Sequence, residues 1–203
     1  MTKIKICGLT TSSAIQQAVA CGADYLGFVF AESPRRISPE TVRKLTESVP
    51  KNVKKVGVFV SPSVTDVEET IKIAGLDLVQ IHGKPLEIGV SVPVIQAVDP
   101  QSAEEPSVEG PDFLLMDAPP SRYMGGNGKV FDWQSVDTSK LAKEKLWIAG
   151  GLDADNVKEA IRYFHPYAVD VSSGVETNGK KDLTKIAAFC QAVKEENHVS
   201  TTK

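Results

Sequence analysis

The chain has 203 residues, enough for one domain with a substantial buried core, though small for a closed α/β barrel, so connections must be short. Lys and Arg total 23 against 26 Asp and Glu, a formal charge of −3, and with no long basic run this argues against a nucleic-acid partner. No stretch approaches the length of a membrane span, and Met1-Thr2 leads straight into a strand pattern without a signal-peptide core, so the expected location is cytoplasmic. Cys7, Cys21 and Cys190 are scattered, with no C-x-x-C pair, which argues against a disulfide framework and against structural zinc.

Lys3-Ile4-Lys5-Ile6-Cys7-Gly8 alternates strictly and predicts a first strand, followed by capping residues Thr10-Thr11-Ser12 and a helix from Ser13 to Cys21 that Gly22 stops. Tyr25 to Phe30 is nearly all apolar, as a parallel strand covered on both faces is. Ser38 caps the second helix, with Pro39 at its first position. Strands follow at Lys55–Val60 and Leu78–Gly83, with a helix between them carrying Val64, Val67 and Ile71. From Lys84 to Pro111 only Pro93–Val98 reads clearly as a strand, so the fourth and fifth helices are expected to be shortened or missing. Asp112–Ala118 is the sixth strand, and the long glycine-rich loop after it, Pro119 to Lys129, is read as a moving lid. Two more βα units follow, with helices opening at Asp153 and Lys181, and residues 196–203 are expected to be a frayed tail.

Eight strands, each with a helix or helix-like connection, give the (β/α)8 count in a single domain spanning 1–203. A doubly wound sheet is the alternative, but it needs a G-x-G-x-x-G turn after the first strand, and Cys7-Gly8-Leu9-Thr10 supplies none. Gly125-Gly126-Asn127-Gly128-Lys129-Val130 is not a P-loop either, because valine stands where a hydroxyl must hold the metal.

The last two units share a design, a valine- or tryptophan-bearing strand that runs into small residues: Ala149-Gly150-Gly151-Leu152 and Val171-Ser172-Ser173-Gly174. Either motif alone fits a tight turn equally well. Adjacent and in this order, they predict a phosphate cradle of backbone N–H groups at the mouth of a barrel.

Parity along the strands decides what else faces that mouth. Lys5 and Cys7 share one face, Gln80 and His82 another, and Asp117 and Asp170 also point inward. A lone Cys is commonly a small buried hydrophobe, His82 and Asp117 each have ordinary structural readings, and Lys5 with Asp170 predicts a buried ion pair. A thiol and a carboxyl facing a cavity that holds a phosphate nevertheless make a base and an acid with a substrate between them.

These stretches, together with Gly27-Phe28-Val29-Phe30, Ser33-Pro34-Arg35-Arg36-Ile37-Ser38, Val56-Gly57-Val58-Phe59-Val60, Val79-Gln80-Ile81-His82-Gly83, Gly125-Gly126-Asn127-Gly128, Phe131-Asp132-Trp133 and Val175-Glu176, closely resemble the phosphoribosylanthranilate isomerases of tryptophan biosynthesis. The resemblance runs over almost the whole chain. It implies an Amadori rearrangement of N-(5-phosphoribosyl)anthranilate to 1-(2-carboxyphenylamino)-1-deoxyribulose 5-phosphate, with no cofactor and no metal. It also implies Asp117 as general acid, Cys7 as general base, Arg35 on the anthranilate carboxylate, and Gly150, Gly151, Ser173 and Gly174 on the phosphate. His82, Gly126 and Asp170 are expected close to the substrate, and the protein to be a monomer or homodimer without nucleic-acid or membrane partners.

In these roles the Cys7 thiol should be lowered from ~8.5 by positive potential from Arg35 and helix N-termini, and the Asp117 carboxyl raised. Indole-glycerol-phosphate synthase chemistry on the same scaffold would need Lys and Glu at the strand ends. A non-catalytic phosphosugar-binding barrel would need the cradle alone, without both Cys7 and Asp117.

Overall fold

The computed structural model describes residues 1–87, 89–98, 111–117 and 142–201. Eight parallel strands close into a barrel in chain order: β1 (Lys3–Ile6), β2 (Tyr25–Val29), β3 (Lys54–Val60), β4 (Leu78–His82), β5 (Val94–Val98), β6 (Phe113–Asp117), β7 (Leu146–Ala149) and β8 (Ala168–Val171). Closure is made by β1 against β8, where Lys5 lies opposite Asp170 and Ile6 opposite Val171. This is the (β/α)8 architecture that the alternation of elements predicts.

Two-residue periodicity sorts the strand side chains into two cores. Inward residues Tyr25, Val56, Leu78, Ile95, Leu115 and Trp147 fill the barrel, and the aromatic rings of Tyr25 and Trp147 meet there with centroids 4.6 Å apart. Outward residues such as Ile6, Leu26, Phe28, Val79, Ile148 and Val169 join the buried faces of the surrounding helices. Apolar packing therefore covers the strands on their outer faces and most of them on the inner face, β1 being the exception with Lys5 pointing inward.

The helices are α1 (Ser12–Ala20), α2 (Pro39–Leu45), α3 (Val64–Ala74), α4 (Val157–Phe164) and α5 (Leu183–Thr201). Thr11, Ser38 and Ser63 cap the first three through their hydroxyls, which accept from Ala14, Thr41 and Asp66 N–H. Between β4 and β5 the described residues hold no helix, as the proline-broken sequence predicts. Residues 99–110 of the connection from β5 to β6, the proposed lid 119–129, Gly126 and Phe131-Asp132-Trp133 lie outside the described residues.

Two boundaries differ from expectation. The turn Asp153–Asn156 precedes α4 instead of opening it: the Asp153 carboxylate accepts from Asp155 and Asn156 N–H, while the Asn156 amide oxygen accepts from Asp153 N–H. At the C-terminus, α5 continues through residue 196 to Thr201, into the segment expected as a tail. Its polar residues have partners: Glu196 is buried against Arg162 at 2.7 Å, and the Asn197 side chain exchanges two hydrogen bonds with the Thr2 backbone at 2.8 and 2.9 Å. Among the described residues, no helix is long and apolar enough to cross a membrane.

Candidate active site

β1 carries Lys5 inward and is followed directly by Cys7, whose N–H donates to the Val171 carbonyl at 2.8 Å, so the thiol stands where β1 and β8 meet the mouth. Gly8 and Leu9 N–H both donate to the Gly27 carbonyl at 3.0 Å, folding the end of β1 onto β2. Gly27 leaves room for the thiol, because a Cβ there would lie 2.8 Å from Cys7 Sγ. Cys7, His82, Asp117 and Asp170 all line one cavity of about 220 Å³ at the C-terminal ends of the strands. Gly150, Gly151, Ser173 and Gly174 line the same cavity.

The two glycine loops are built against each other. Gly150 and Gly151 have φ of 94° and 61°, left-handed values that disfavour any residue with a Cβ. The Asn156 amide donates to the Gly151 carbonyl at 2.9 Å and fixes that turn. Across from it, a Cβ on Gly174 would fall 1.8 Å from the Leu152 carbonyl oxygen, so only glycine lets the β8 loop seat on the β7 loop. A short 3-10 turn, Ser173–Val175, follows β8, and then a hairpin of β9 (Glu176–Thr177) and β10 (Lys180–Lys181). Lys181 donates to the Ser172 carbonyl at 2.8 Å and to Glu176 at 2.7 Å, tying the hairpin back to the cradle.

Arg35 and Arg36 part company. Arg36 is exposed and lines a separate outer cavity of about 620 Å³ with Phe30, Phe59 and Asp66, which contains none of the expected site residues. Arg35 turns toward the mouth and is gripped by Glu176, Nε to Oε1 at 2.7 Å and Nη2 to Oε2 at 2.6 Å. The Glu176 carboxyl is held down at about 2, first by its hydrogen bond to Arg35 and then by Lys181. Arg35 and Lys181 thus share this one carboxylate.

Burial dominates the Cys7 thiol and pushes it up; Lys5 and Lys181 pull it down without cancelling that effect, and Asp170 adds to the rise. The expected net lowering is therefore corrected, because the thiol lies deeper than the sequence shows. Beneath it the Lys5 ammonium, fully buried, donates to Asp170 Oδ2 at 2.7 Å and to Gln80 Oε1 at 2.8 Å. Burial would lower Lys5, but Asp170 and Cys7 outweigh it and hold the ammonium charged. The predicted Lys5–Asp170 pair is thus present and extends across the barrel to β4. His82 Nε2 lies 2.7 Å from the Gln80 amide, and burial followed by Lys5 lowers its pKa, keeping the ring neutral near pH 7. Asp117 stands exposed at the end of β6 and acts electrostatically on His82. Among the described residues, no three His, Cys, Asp or Glu side chains group to hold a metal ion.

A buried thiol, a carboxyl and two glycine loops thus line one cavity, with Arg35 and Lys181 paired to Glu176 beside it. The profile of the N-(5'-phosphoribosyl)anthranilate (PRA) isomerase family matches residues 4–192. The chain belongs to the phosphoribosylanthranilate isomerase family. It is 53% identical over 198 residues to N-(5'-phosphoribosyl)anthranilate isomerase of Streptococcus gordonii, covering 96% of this chain and 99% of that one. Among solved structures it is similar to TrpF from Jonesia denitrificans, with TM-score 0.81, 32% identity, and 97% and 98% of the two chains covered. A further isomerase of this family, solved with reduced 1-(o-carboxyphenylamino)-1-deoxyribulose 5-phosphate, superposes with TM-score 0.75 at 32% identity over 96% of this chain and all of its own.

Sequence reasoning names Cys7, Asp117, His82, Asp170 and the four cradle residues, and one cavity gathers them all. Arg35 lies outside that lining, at its rim on Glu176. Glu176, Lys181 and Gln80 were given no role from the sequence. For Glu176 the available signal was a carboxylate five positions before a lysine at the end of the Ser-Ser-Gly stretch; for Gln80 it was parity with His82.

Proposed function

We propose that this isomerase converts N-(5-phosphoribosyl)anthranilate to the ketoamine with Asp117 as general acid and Cys7 as general base. The observation that carries this assignment is that both groups line the cavity that the two glycine loops close. Phosphate held by the backbone around Gly150, Gly151, Ser173 and Gly174 anchors one end of the substrate, and Arg35 on the rim takes the carboxylate at the other.

Asp117 gives its proton to the ribose ring oxygen, the C1–O bond breaks, and the nitrogen lone pair forms the C1=N iminium. That cation acidifies C2–H. Cys7 Sγ then takes the C2 proton, the C–H electron pair becomes a C1=C2 bond, and the nitrogen recovers its lone pair as an enolamine. Tautomerisation of the enolamine gives the product. A base that follows iminium formation needs only modest strength, which suits a thiol. His82, kept neutral, donates or accepts at a hydroxyl without adding charge to the cavity.

The reading extends to a cytoplasmic protein acting on a small phosphosugar, as a monomer or homodimer. It is tested by following the fluorescence of freshly made substrate without metal or cofactor, in wild type, Cys7→Ala and Asp117→Asn. Wild-type turnover with loss of at least about a hundredfold in each variant supports both roles, at the scale of general acid–base catalysis. Full activity in either variant removes that residue from the mechanism.

A further inference from the structure

Under the cavity floor lies an ion pair that the proposed chemistry does not use. Lys5 sits inside the barrel at 0% exposure, whereas inward positions on other strands hold apolar Val56, Leu78 and Leu115. Burying an ammonium there carries a large desolvation penalty that its attraction to Asp170 only offsets, and replacing such a pair by apolar side chains of similar volume is often neutral or stabilising. The pair is therefore poorly explained by stability. Two of the three ammonium N–H groups are taken by Asp170 and Gln80. Cys7 stands two residues along the same strand, on the same inward face.

We propose that Lys5 is the positioning residue for the Cys7 base, its fixed ammonium supplying the counter-charge that lets a buried thiol ionise, while Asp170 limits how much of that charge Cys7 feels. The inference rests on the reading of Cys7 as base.

The charged groups that face Cys7 are Lys5 from β1, Asp170 from β8, Lys181 from β10 and Arg35 from the loop after β2. Arg35 and Lys181 share Glu176, which spends part of their field. Lys5 exerts the largest cationic influence on the thiol. Both of its named partners, Asp170 and Gln80, are buried. Asp170 uses only Oδ2 on Lys5; its Oδ1 is buried without a hydrogen bond. Such an oxygen keeps its full negative potential beside the thiol, opposing ionisation. Lys5 and Asp170 thus act on Cys7 in opposite directions.

The test measures the thiolate itself. Iodoacetamide alkylation of Cys7 is followed against pH in a Cys21→Ser background, read by mass on the Cys7 peptide. Lys5→Gln keeps hydrogen bonding but removes the charge, and is expected to slow alkylation near neutral pH by about tenfold or more, as loss of an adjacent opposite charge does. Asp170→Asn keeps an acceptor for Lys5 and is expected to speed it. A pair that only holds the barrel together would lower the melting temperature of both variants and leave the pH midpoint of alkylation unmoved; that result, or shifts of the same sign, overturns the proposal. If Lys5→Gln does not fold, Asp170→Asn decides alone, an unmoved or raised midpoint overturning it. The acid limb of kcat/KM distinguishes the underlying reading: a midpoint that moves while the limb stays leaves the Lys5–Cys7 coupling standing and removes Cys7 as base.

Discussion

Arg35 and Glu176 meet as a two-pronged ion pair across 141 residues of chain, with both bonds between 2.6 and 2.7 Å. Gly8 makes room for it, since a Cβ there would lie 2.6 Å from Arg35 Cδ. The fork occupies Nε and Nη2, so in the role proposed for Arg35 it is Nη1 that would meet the substrate carboxylate. Lys181 keeps Glu176 from cancelling the arginine.

Glu176→Gln should therefore loosen Arg35 without touching the acid or the base. Steady-state kinetics are expected to show KM raised roughly tenfold with kcat within about twofold of wild type, because a lost charge-assisted fork is worth somewhat over 1 kcal/mol. A fall in kcat with KM unchanged would instead place Glu176 in the chemical step.

The same carboxylate makes stability depend on acid. Its pKa is depressed from the model-compound 4.5 to about 2 in the folded protein. The contribution is thus fully present above 4.5 and is lost as pH falls toward about 2, when the folded state must also take up the proton. Thermal unfolding followed across that window should show a shallower decline in Glu176→Gln than in wild type. Parallel declines would mean that other carboxylates set the acid limb.

Gly174→Ala should separate the cradle from the fold. Its Cβ would collide with the Leu152 carbonyl oxygen at 1.8 Å, and the two loops must move apart by more than an ångström. Titration with inorganic phosphate should show weakened binding, and turnover should fall about a hundredfold, the usual consequence of such a displacement in a positioned site. Gly89→Ala, with nothing within 4 Å of the new Cβ, is the matched control and should behave as wild type.

Asn197→Ala should lower the stability of the whole barrel by about 1–3 kcal/mol, since it removes two hydrogen bonds to the Thr2 backbone at the start of β1. Chemical denaturation would read this as a lower midpoint with an unchanged slope. No change would mean that the end of α5 contributes nothing to closing the barrel.

The strands were legible because their period is local. Ile4 and Ile6 against Lys5 and Cys7 sort to opposite faces in any β-strand, and a run such as Tyr25–Val29 carries its two-sided burial in its composition. Ser38-Pro39 and Gly22 punctuate the helices by equally local rules. The end of α5 was less legible because a polar sequence reads as solvated: Glu196 and Asn197 are polar, and the fold brings Arg162 and Thr2 alongside them as partners.

The sequence by itself thus determined the eight-strand alternation, which side chains face the mouth, and where backbone can approach a ligand, since each depends on residues a few positions apart. Tertiary structure decided the electrostatics. Lys5 finds Gln80 and Asp170 at separations of 75 and 165 residues, and Arg35 finds Glu176 at 141. The direction of the Cys7 shift follows from the depth at which closing the barrel places the thiol. Desolvation and charge pairing act through space, so the same Cys-Gly turn would carry a different thiol in a different enclosure.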